Sequence, residues 1–172
     1  MSKAIVIHDS RSGNTGMMAK AIERGMKQAG VEVLSKRTVD AKADDLANVD
    51  AVVLGAPTYH HDLTGSMKTF LFEMEKADLG RKIGAAFGSY GWSGESVQMM
   101  TDTMKHIFGR IVIEPGLRIL HRPNESGFDQ CKEFGRKIAE KIKEGNNQDE
   151  LMEYAAKLQC FPKNQYQSIP RR

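Results

Sequence analysis

The sequence predicts a doubly wound α/β protein, a three-layer sandwich whose parallel sheet has helices on both faces. Short β-branched segments alternate with amphipathic helical patterns five times along 172 residues. Such alternation favours right-handed βαβ crossovers and a parallel sheet. Residues 50–56 are apolar almost throughout, as in a strand buried on both faces. A small polar turn at residues 10–15 separates the first strand from the first helix.

The first half of the chain shows three strand patterns and one clear helix. Residues 4–7 are apolar and largely β-branched, which predicts a buried strand. From Thr15 the apolar residues recur at helical spacing until Gly30, which is typical of a helix C-cap. Residues 31–38 begin with alternating apolar positions and predict a strand near the sheet edge. Residues 40–48 predict a short polar helix or turn.

The second half repeats the strand–helix alternation and ends with a long helix. Each predicted helix carries apolar residues at helical spacing on one face. The predicted elements are helices at 64–76, 95–108 and 123–144, and strands at 82–88 and 111–120. Pro115-Gly116 is expected to break the last strand. We therefore predict one domain over residues 1–145 and a helical extension over residues 146–172, amphipathic at 149–159.

Composition excludes several classes of protein. The chain is 40% hydrophobic and 27% charged with a net charge of +3, which is ordinary for a globular domain. It has no run of 18 apolar residues and no signal-peptide pattern, and Cys131 and Cys160 do not make a disulfide framework. We therefore expect a cytoplasmic protein that does not bind membranes. Without a dense Lys/Arg stripe, nucleic-acid binding is not expected.

The turn after the first strand is a candidate phosphate site. It contains Ser10, Arg11, Ser12, Gly13, Asn14 and Thr15. Free backbone N–H groups at a helix N-terminus attract anions, hydroxyl and amide groups add donors, and glycine permits close approach. An ordinary helix cap with a turn is the alternative interpretation. Neither a Gly-Lys-Ser/Thr sequence nor a G-x-G-x-x-G sequence follows, which disfavours nucleoside triphosphates and dinucleotides.

Two further loops are expected at the same sheet edge. One contains Pro57, Thr58, Tyr59, His60 and His61; the other contains Ser89, Tyr90, Gly91, Trp92 and Gly94. Trp92 is the only tryptophan, and in a glycine-rich loop it is suited to cover a flat ligand. The tyrosines could act likewise or be ordinary loop residues. A phosphate site beside aromatic loops indicates a cradle for flavin mononucleotide (FMN).

Residues 9–15 resemble the phosphate loop of the flavodoxin family. Residues 56–58 and 87–95 are still more similar to the flavodoxin domain of the flavodiiron (A-type) flavoproteins. The resemblance implies strand order 2-1-3-4-5 and non-covalent FMN that carries one or two electrons. It implies that residues 10–15 hold the phosphate, residues 57–61 touch the N5 side of the flavin, and residues 89–94 cover a ring face. In doubly wound sheets, ligands bind at the carboxyl ends of the strands where the strand order reverses. Flavodoxin is one of the proteins that illustrate this rule, so the rule does not support the FMN site independently of the resemblance.

Departures from the family limit what the resemblance implies. By this likeness the chain begins at the flavodoxin domain, so a diiron domain and its oxygen or nitric oxide chemistry are not expected. The last strand lacks a long insertion, as in short-chain flavodoxins, and the basic charge suggests a different partner surface. His60-His61 has no further ligand at metal-binding spacing, so no metal is expected. A phosphoacceptor signalling domain needs an aspartate where Gly55-Ala56-Pro57 stands.

Two functions remain after these exclusions. The first is a low-potential electron carrier between redox protein partners, with no catalytic residues of its own. The second is an NAD(P)H-dependent quinone or flavin reductase, since Pro57-Thr58 and residues 65–70 are also similar to that family. The extension is expected either to dock a partner, including a second copy in a homodimer, or to pack on its own domain.

Overall fold

A computed structural model describes residues 1–109 and 111–159 of the chain. It contains a five-stranded sheet in the order β2-β1-β3-β4-β5, in which all neighbouring strands are parallel. The strands are β1 (Lys3–His8), β2 (Glu32–Arg37), β3 (Ala51–Gly55), β4 (Ile83–Tyr90) and β5 (Ile111–Leu120). The helices are α1 (Asn14–Gln28), α2 (Gly65–Met74), α3 (Glu95–Asp102) and α4 (Glu125–Gln159). The predicted architecture and strand order are confirmed.

Two apolar cores lie on opposite faces of the sheet. Alternate residues of β1 supply both, since Ala4 and Val6 belong to one cluster and Ile5 and Ile7 to the other. The first cluster includes buried residues of α1 and α4, and the second includes residues of α2 and α3. Strands buried on both faces explain why β1 and β3 have continuous apolar sequences.

Glycines permit two backbone contacts that position the site. A Cβ atom added to Gly25 of α1 would overlap the carbonyl oxygen of Lys132 in α4, and one added to Gly135 would overlap that of Ile22. Helix α1 therefore crosses α4 with backbone against backbone. A Cβ atom on Gly88 of β4 would overlap the carbonyl oxygen of Ala56. This contact draws the ends of β3 and β4 together.

Several predicted boundaries are wrong. Strand β4 continues to Tyr90 because residues 87–90 pair with residues 117–120 of β5. Strand β5 is continuous; Pro115-Gly116 shifts the register opposite Ala86 and does not end the strand. Helix α3 ends at Asp102 and passes into a π-helical turn over Thr103–Ile107. Main-chain pairing across the sheet outweighed the local sequence signals in β4 and β5.

The last helix is longer than predicted. Helix α4 passes through Gly145-Asn146-Asn147, where we predicted its end, and reaches Gln159. Glycine and asparagine disfavour helix by less than about 1 kcal/mol each, which longer helical context can outweigh. The chain divides into two compact units, Met1–Ile142 and Lys143–Arg172. The predicted domain boundary at residue 145 stays a prediction, and residues 160–172 of the extension, with Cys160, lie outside the described residues.

Within the two described ranges, no helix is both long enough and apolar enough to cross a bilayer.

Candidate functional site

Loops after β1, β3 and β4 meet at the carboxyl edge of the sheet. Since all strands are parallel, their carboxyl ends share one edge, and β1 and β3 lie side by side at its centre. The chain leaves these two strands in opposite directions, toward β2 and toward β4, which opens a crevice between the loops. The Asp9 N–H donates to the Gly55 carbonyl (2.9 Å), and the Thr58 N–H donates to the Ser89 carbonyl (3.2 Å).

The first loop ends in a helix N-terminus with free donors. Gly13 precedes α1 in the left-handed region (φ 89°), and no side chain caps the helix. The Gly16 N–H donates to the Ser10 hydroxyl (3.1 Å). The backbone N–H groups of residues 12–15 have no acceptor within the described parts of the chain. Ser12 is exposed beside them. This donor set is suited to an anion.

Thr15 connects the first loop to strand β4. Its side chain is 1% exposed, and its hydroxyl shares a buried 2.8 Å hydrogen bond with the Ser89 hydroxyl. A threonine hydroxyl can accept one hydrogen bond and donate another. Thr15 can therefore accept from Ser89 and still donate toward a ligand at the helix N-terminus. The sequence placed both residues in the site but did not predict that they bond to each other.

Asp9, which sequence reasoning did not include among the site residues, ties the first loop to α2. Its carboxylate accepts hydrogen bonds from the Ser66 hydroxyl (2.5 Å) and the Ser10 N–H (2.8 Å), and Arg37 lies 3.7 Å away. Burial alone would raise the pKa of Asp9, but these hydrogen bonds and Arg37 together lower it. Asp9 is therefore a buried carboxylate beside the candidate phosphate loop.

The second loop contains a tight hairpin that the sequence did not reveal. Tyr59 and Asp62 exchange two main-chain hydrogen bonds, of 3.1 and 3.0 Å. His60 and His61 occupy the two central positions with φ values of 49° and 62°. Positive φ at both positions is the property of a type I′ turn, which usually takes Asn-Gly. Histidine tolerates this region better than most residues. Both histidines are exposed.

Thr58, which is predicted to contact the flavin, makes hydrogen bonds to Ser96 that the sequence did not predict. Its hydroxyl donates to the Ser96 hydroxyl (2.7 Å) and accepts from the Ser96 N–H (3.2 Å). The Ser96 hydroxyl in turn donates to the Ala56 carbonyl (3.1 Å). Thr58 therefore serves as a helix cap for α3 from a separate loop. Its buried neighbour Pro57 lies at the end of β3. Contact of either residue with flavin stays a prediction.

The second and third loops touch through His61. Its ring centroid lies 4.9 Å from that of Trp92, with the planes tilted by 55°. Its Nδ1 is 2.7 Å from Glu95 Oε1 at the start of α3. Hydrogen bonds from Ser93 and His61 lower the pKa of Glu95 to about 2. Trp92 is 78% exposed, so its ring projects from the edge of the sheet and is not part of either core.

The remaining predicted residues lie around the His61–Trp92 contact and differ in their exposure. Arg11 is exposed, and its guanidinium lies 5.7 Å from the Tyr59 ring centroid. Asn14 and Tyr90 are half-buried; Tyr90 ends β4 and does not lie in a loop. Gly91 is exposed, and Gly94 packs near Tyr90 and Arg118. All the predicted site residues lie in the loops, strand end or first helical turn at this edge.

The donor set of this edge fits FMN. Free N–H groups and hydroxyls at the start of α1 suit a phosphate dianion. Tyr59 and Trp92 lie on the two neighbouring loops and offer aromatic surface for a planar ring. A five-stranded parallel sheet of this order, with a candidate anion-binding loop at the β1/β3 switch point, defines the flavodoxin-like fold.

The sequence profile of the family described as Flavodoxin matches residues 6–153, so this chain belongs to the flavodoxin family. A flavodoxin from Clostridium beijerinckii is 31% identical over 136 residues, which are 78% of this chain and 97% of that protein. A type A flavoprotein from Rhodobacter capsulatus is 30% identical over 143 residues, which are 80% of this chain and 33% of that protein. The solved structure of a flavodoxin from the domain Archaea has a TM-score of 0.79 at 41% identity, covering 82% of this chain and 99% of that chain.

These relatives confirm both resemblances seen in the sequence. The chain spans about a third of the length of the long curated relatives it matches, type A flavoproteins among them. It matches the short flavodoxins over nearly their whole length. The family binds FMN, and membership in it supports a flavodoxin-type electron carrier.

Proposed function

We propose that this chain binds FMN without a covalent bond at the three-loop edge and carries electrons at low potential between redox protein partners. FMN supplies one- and two-electron redox chemistry when it is bound. The observation that carries the proposal is the uncapped start of α1, with free N–H groups at residues 12–15, beside the loops that bear Tyr59 and Trp92.

Each loop has its own part in the proposed site. Residues 10–15 hold the phosphate with backbone N–H groups and hydroxyls. Residues 57–61 approach the N5 side of the ring, and the type I′ hairpin sets the position of Tyr59 and His61. Residues 89–94 place Trp92 over a ring face. An exposed Trp92 leaves the outer rim open, and a redox partner can approach the cofactor there.

Negative charge near the site supports a low potential. Asp9 is a buried carboxylate, and Glu95 has a pKa of about 2, so both are ionised at neutral pH. A bound phosphate adds further negative charge. Reduction that makes the flavin more negative is disfavoured by these neighbours, most strongly where water is excluded. Arg37 offsets part of this effect through its contact with Asp9.

The geometry favours a carrier over a pyridine-nucleotide reductase. Hydride transfer needs the nicotinamide held against flavin N5 over an open ring face, in near-attack geometry. Here His61 of the hairpin already contacts Trp92, the residue proposed to cover a ring face. Electron transfer needs only close approach at an open rim.

Two measurements test the site and the function separately. Titration of the apoprotein should show tighter binding of FMN than of riboflavin and quenching of Trp92 fluorescence. Equal affinity for FMN and riboflavin would mean that the phosphate loop is misplaced. Unquenched fluorescence would mean that Trp92 does not cover the ring face. Anaerobic stopped-flow mixing with NADPH or NADH should leave the oxidised flavin band nearly unchanged. Reduction at about 1 s⁻¹ or faster would show a reductase instead.

A further inference from the structure

His8 lies directly beneath the candidate phosphate loop. It is the last residue of β1, and its side chain points to the same sheet face as Ala4 and Val6, toward α1. Its Nε2 lies 3.8 Å from the point where a Cβ atom on Gly16 would stand, and the Ser10 hydroxyl lies 3.6 Å from that same point. The imidazole is therefore a neighbour of the loop that the proposed function assigns to phosphate.

The polar environment of His8 is incomplete. Its Nδ1 is buried and lacks a hydrogen-bond partner within residues 1–109 and 111–159, and so does the buried hydroxyl of Thr38. The two residues are adjacent across β1 and β2, where the Thr38 N–H donates to the His8 carbonyl (3.1 Å). Unsatisfied buried polar atoms are rare in native proteins and call for a physical explanation.

Both anionic and cationic side chains act on His8 in the free protein. Helix α1 presents Lys20 and Glu23, the first loop presents Asp9, and β2 presents Arg37. The positive end of the α1 dipole adds to the cations. Burial is the largest influence and lowers the pKa of His8, so the ring is neutral at pH 7.

We propose that His8 takes up a proton when a phosphate dianion occupies the loop above it, and so adds a cation to a site otherwise made largely of neutral donors. The inference rests on the proposed function, because it needs the phosphate of FMN at residues 10–15. A dianion reverses the sign of the field that the helix N-terminus imposes on the ring, and opposite charge favours the protonated form. FMN binding is thereby linked to proton uptake, whereas riboflavin binding is not.

Calorimetry can measure this linkage directly. FMN and riboflavin are titrated into apoprotein at pH 7 in buffers that differ in ionisation enthalpy, which gives the number of protons taken up per ligand. The variant is His8→Gln, and the matched control is His106→Gln, an exposed histidine of the π-helical turn. The phosphate of FMN titrates near pH 6 itself, but it contributes equally to both variants. Arg11→Gln tests the other cation of the loop, whose charge does not change with pH.

The expected result is proton uptake with FMN in the wild type and His106→Gln, its loss in His8→Gln, and no uptake with riboflavin in any of them. At pH 7 FMN affinity should fall about two- to threefold in His8→Gln, because one pKa unit of coupling amounts to tenfold only where the pH lies below both pKa values. Riboflavin affinity should not change. Arg11→Gln should retain the proton uptake.

The experiment distinguishes failure of this inference from failure of the proposed FMN site. If FMN binds more tightly than riboflavin but His8→Gln takes up as many protons as the wild type, this inference is overturned and the proposed site stands. If FMN and riboflavin bind equally, both are wrong. If His8→Gln does not fold, the assigned NMR resonance of the His8 imidazole in the wild type gives the pKa of His8 directly. That pKa must rise when FMN binds and stay unchanged when riboflavin binds.

Discussion

Replacing Thr15 with valine should separate two roles of its hydroxyl, the hydrogen bond to Ser89 and the proposed hydrogen bond to the phosphate. Thr15 is 1% exposed and Ser89 5% exposed, and their hydroxyls form a buried 2.8 Å hydrogen bond. Valine keeps the shape of threonine but leaves the Ser89 hydroxyl buried without this partner. Such a loss costs about 1–3 kcal/mol. A domain of this size loses about 2–4 °C in Tm per kcal/mol, so the apoprotein should melt about 2–12 °C lower.

The same hydroxyl is proposed to donate to the phosphate. Losing a hydrogen bond to a charged group costs about 1.5–3 kcal/mol, which weakens FMN binding by about 10- to 150-fold. Riboflavin binding should change much less. Urea unfolding of the apoprotein measures the first effect, and paired titrations with FMN and riboflavin measure the second.

A double variant and a control complete this test. Thr15→Val with Ser89→Ala removes both hydroxyls, so its stability loss should be smaller than the sum of the single losses. Thr38→Val is the matched control, because the Thr38 hydroxyl is buried without a partner among the described residues and should lose no stability. Additive losses in the double variant would show that the Thr15–Ser89 bond does not stabilise the protein. A loss in Thr15→Val no larger than in Thr38→Val would refute the reasoning.

Three further outcomes are expected. Ser12→Ala should weaken FMN by roughly 10-fold or more without affecting riboflavin, since Ser12 is exposed beside free N–H groups; equal effects on both ligands in a fluorescence titration would contradict this. Gly25→Ala should destabilise the protein in urea by several kcal/mol because its Cβ atom would overlap a carbonyl of α4, whereas Gly65→Ala, with open space around it, should be neutral or stabilising by about 0.5–1 kcal/mol. The pKa of Glu95 is lowered to about 2, so its contribution to stability is complete above about pH 4.5 and is lost as the pH falls toward 2. Glu95→Gln should flatten the acid limb of a stability–pH profile in that range, and an unchanged limb would speak against the hydrogen bonds of Ser93 and His61 to Glu95.

Local sequence determined the class of fold and predicted a place for the site. Five strand–helix alternations, with apolar runs in β1 and β3, were enough to predict a parallel sheet because burial on both faces requires such runs. The turn at residues 10–15 and the lone Trp92 predicted a ligand-binding edge, and the structure places both at the carboxyl edge of the sheet. These features depend on residues that are close in sequence.

Tertiary structure alone decided the contacts between distant segments. The Thr15–Ser89 bond joins residues 74 positions apart, and Thr58 caps a helix that starts 37 positions later. The His60-His61 turn carries no glycine, so the usual local signal for positive φ is missing; the pairing of Tyr59 with Asp62 accompanies these φ values. In the sequence, His8 simply follows the predicted first strand at residues 4–7 and carries no functional signal. Only the packing of β1 under α1 places its imidazole beneath the phosphate loop, because burial and electric field depend on neighbours that the chain brings together by folding.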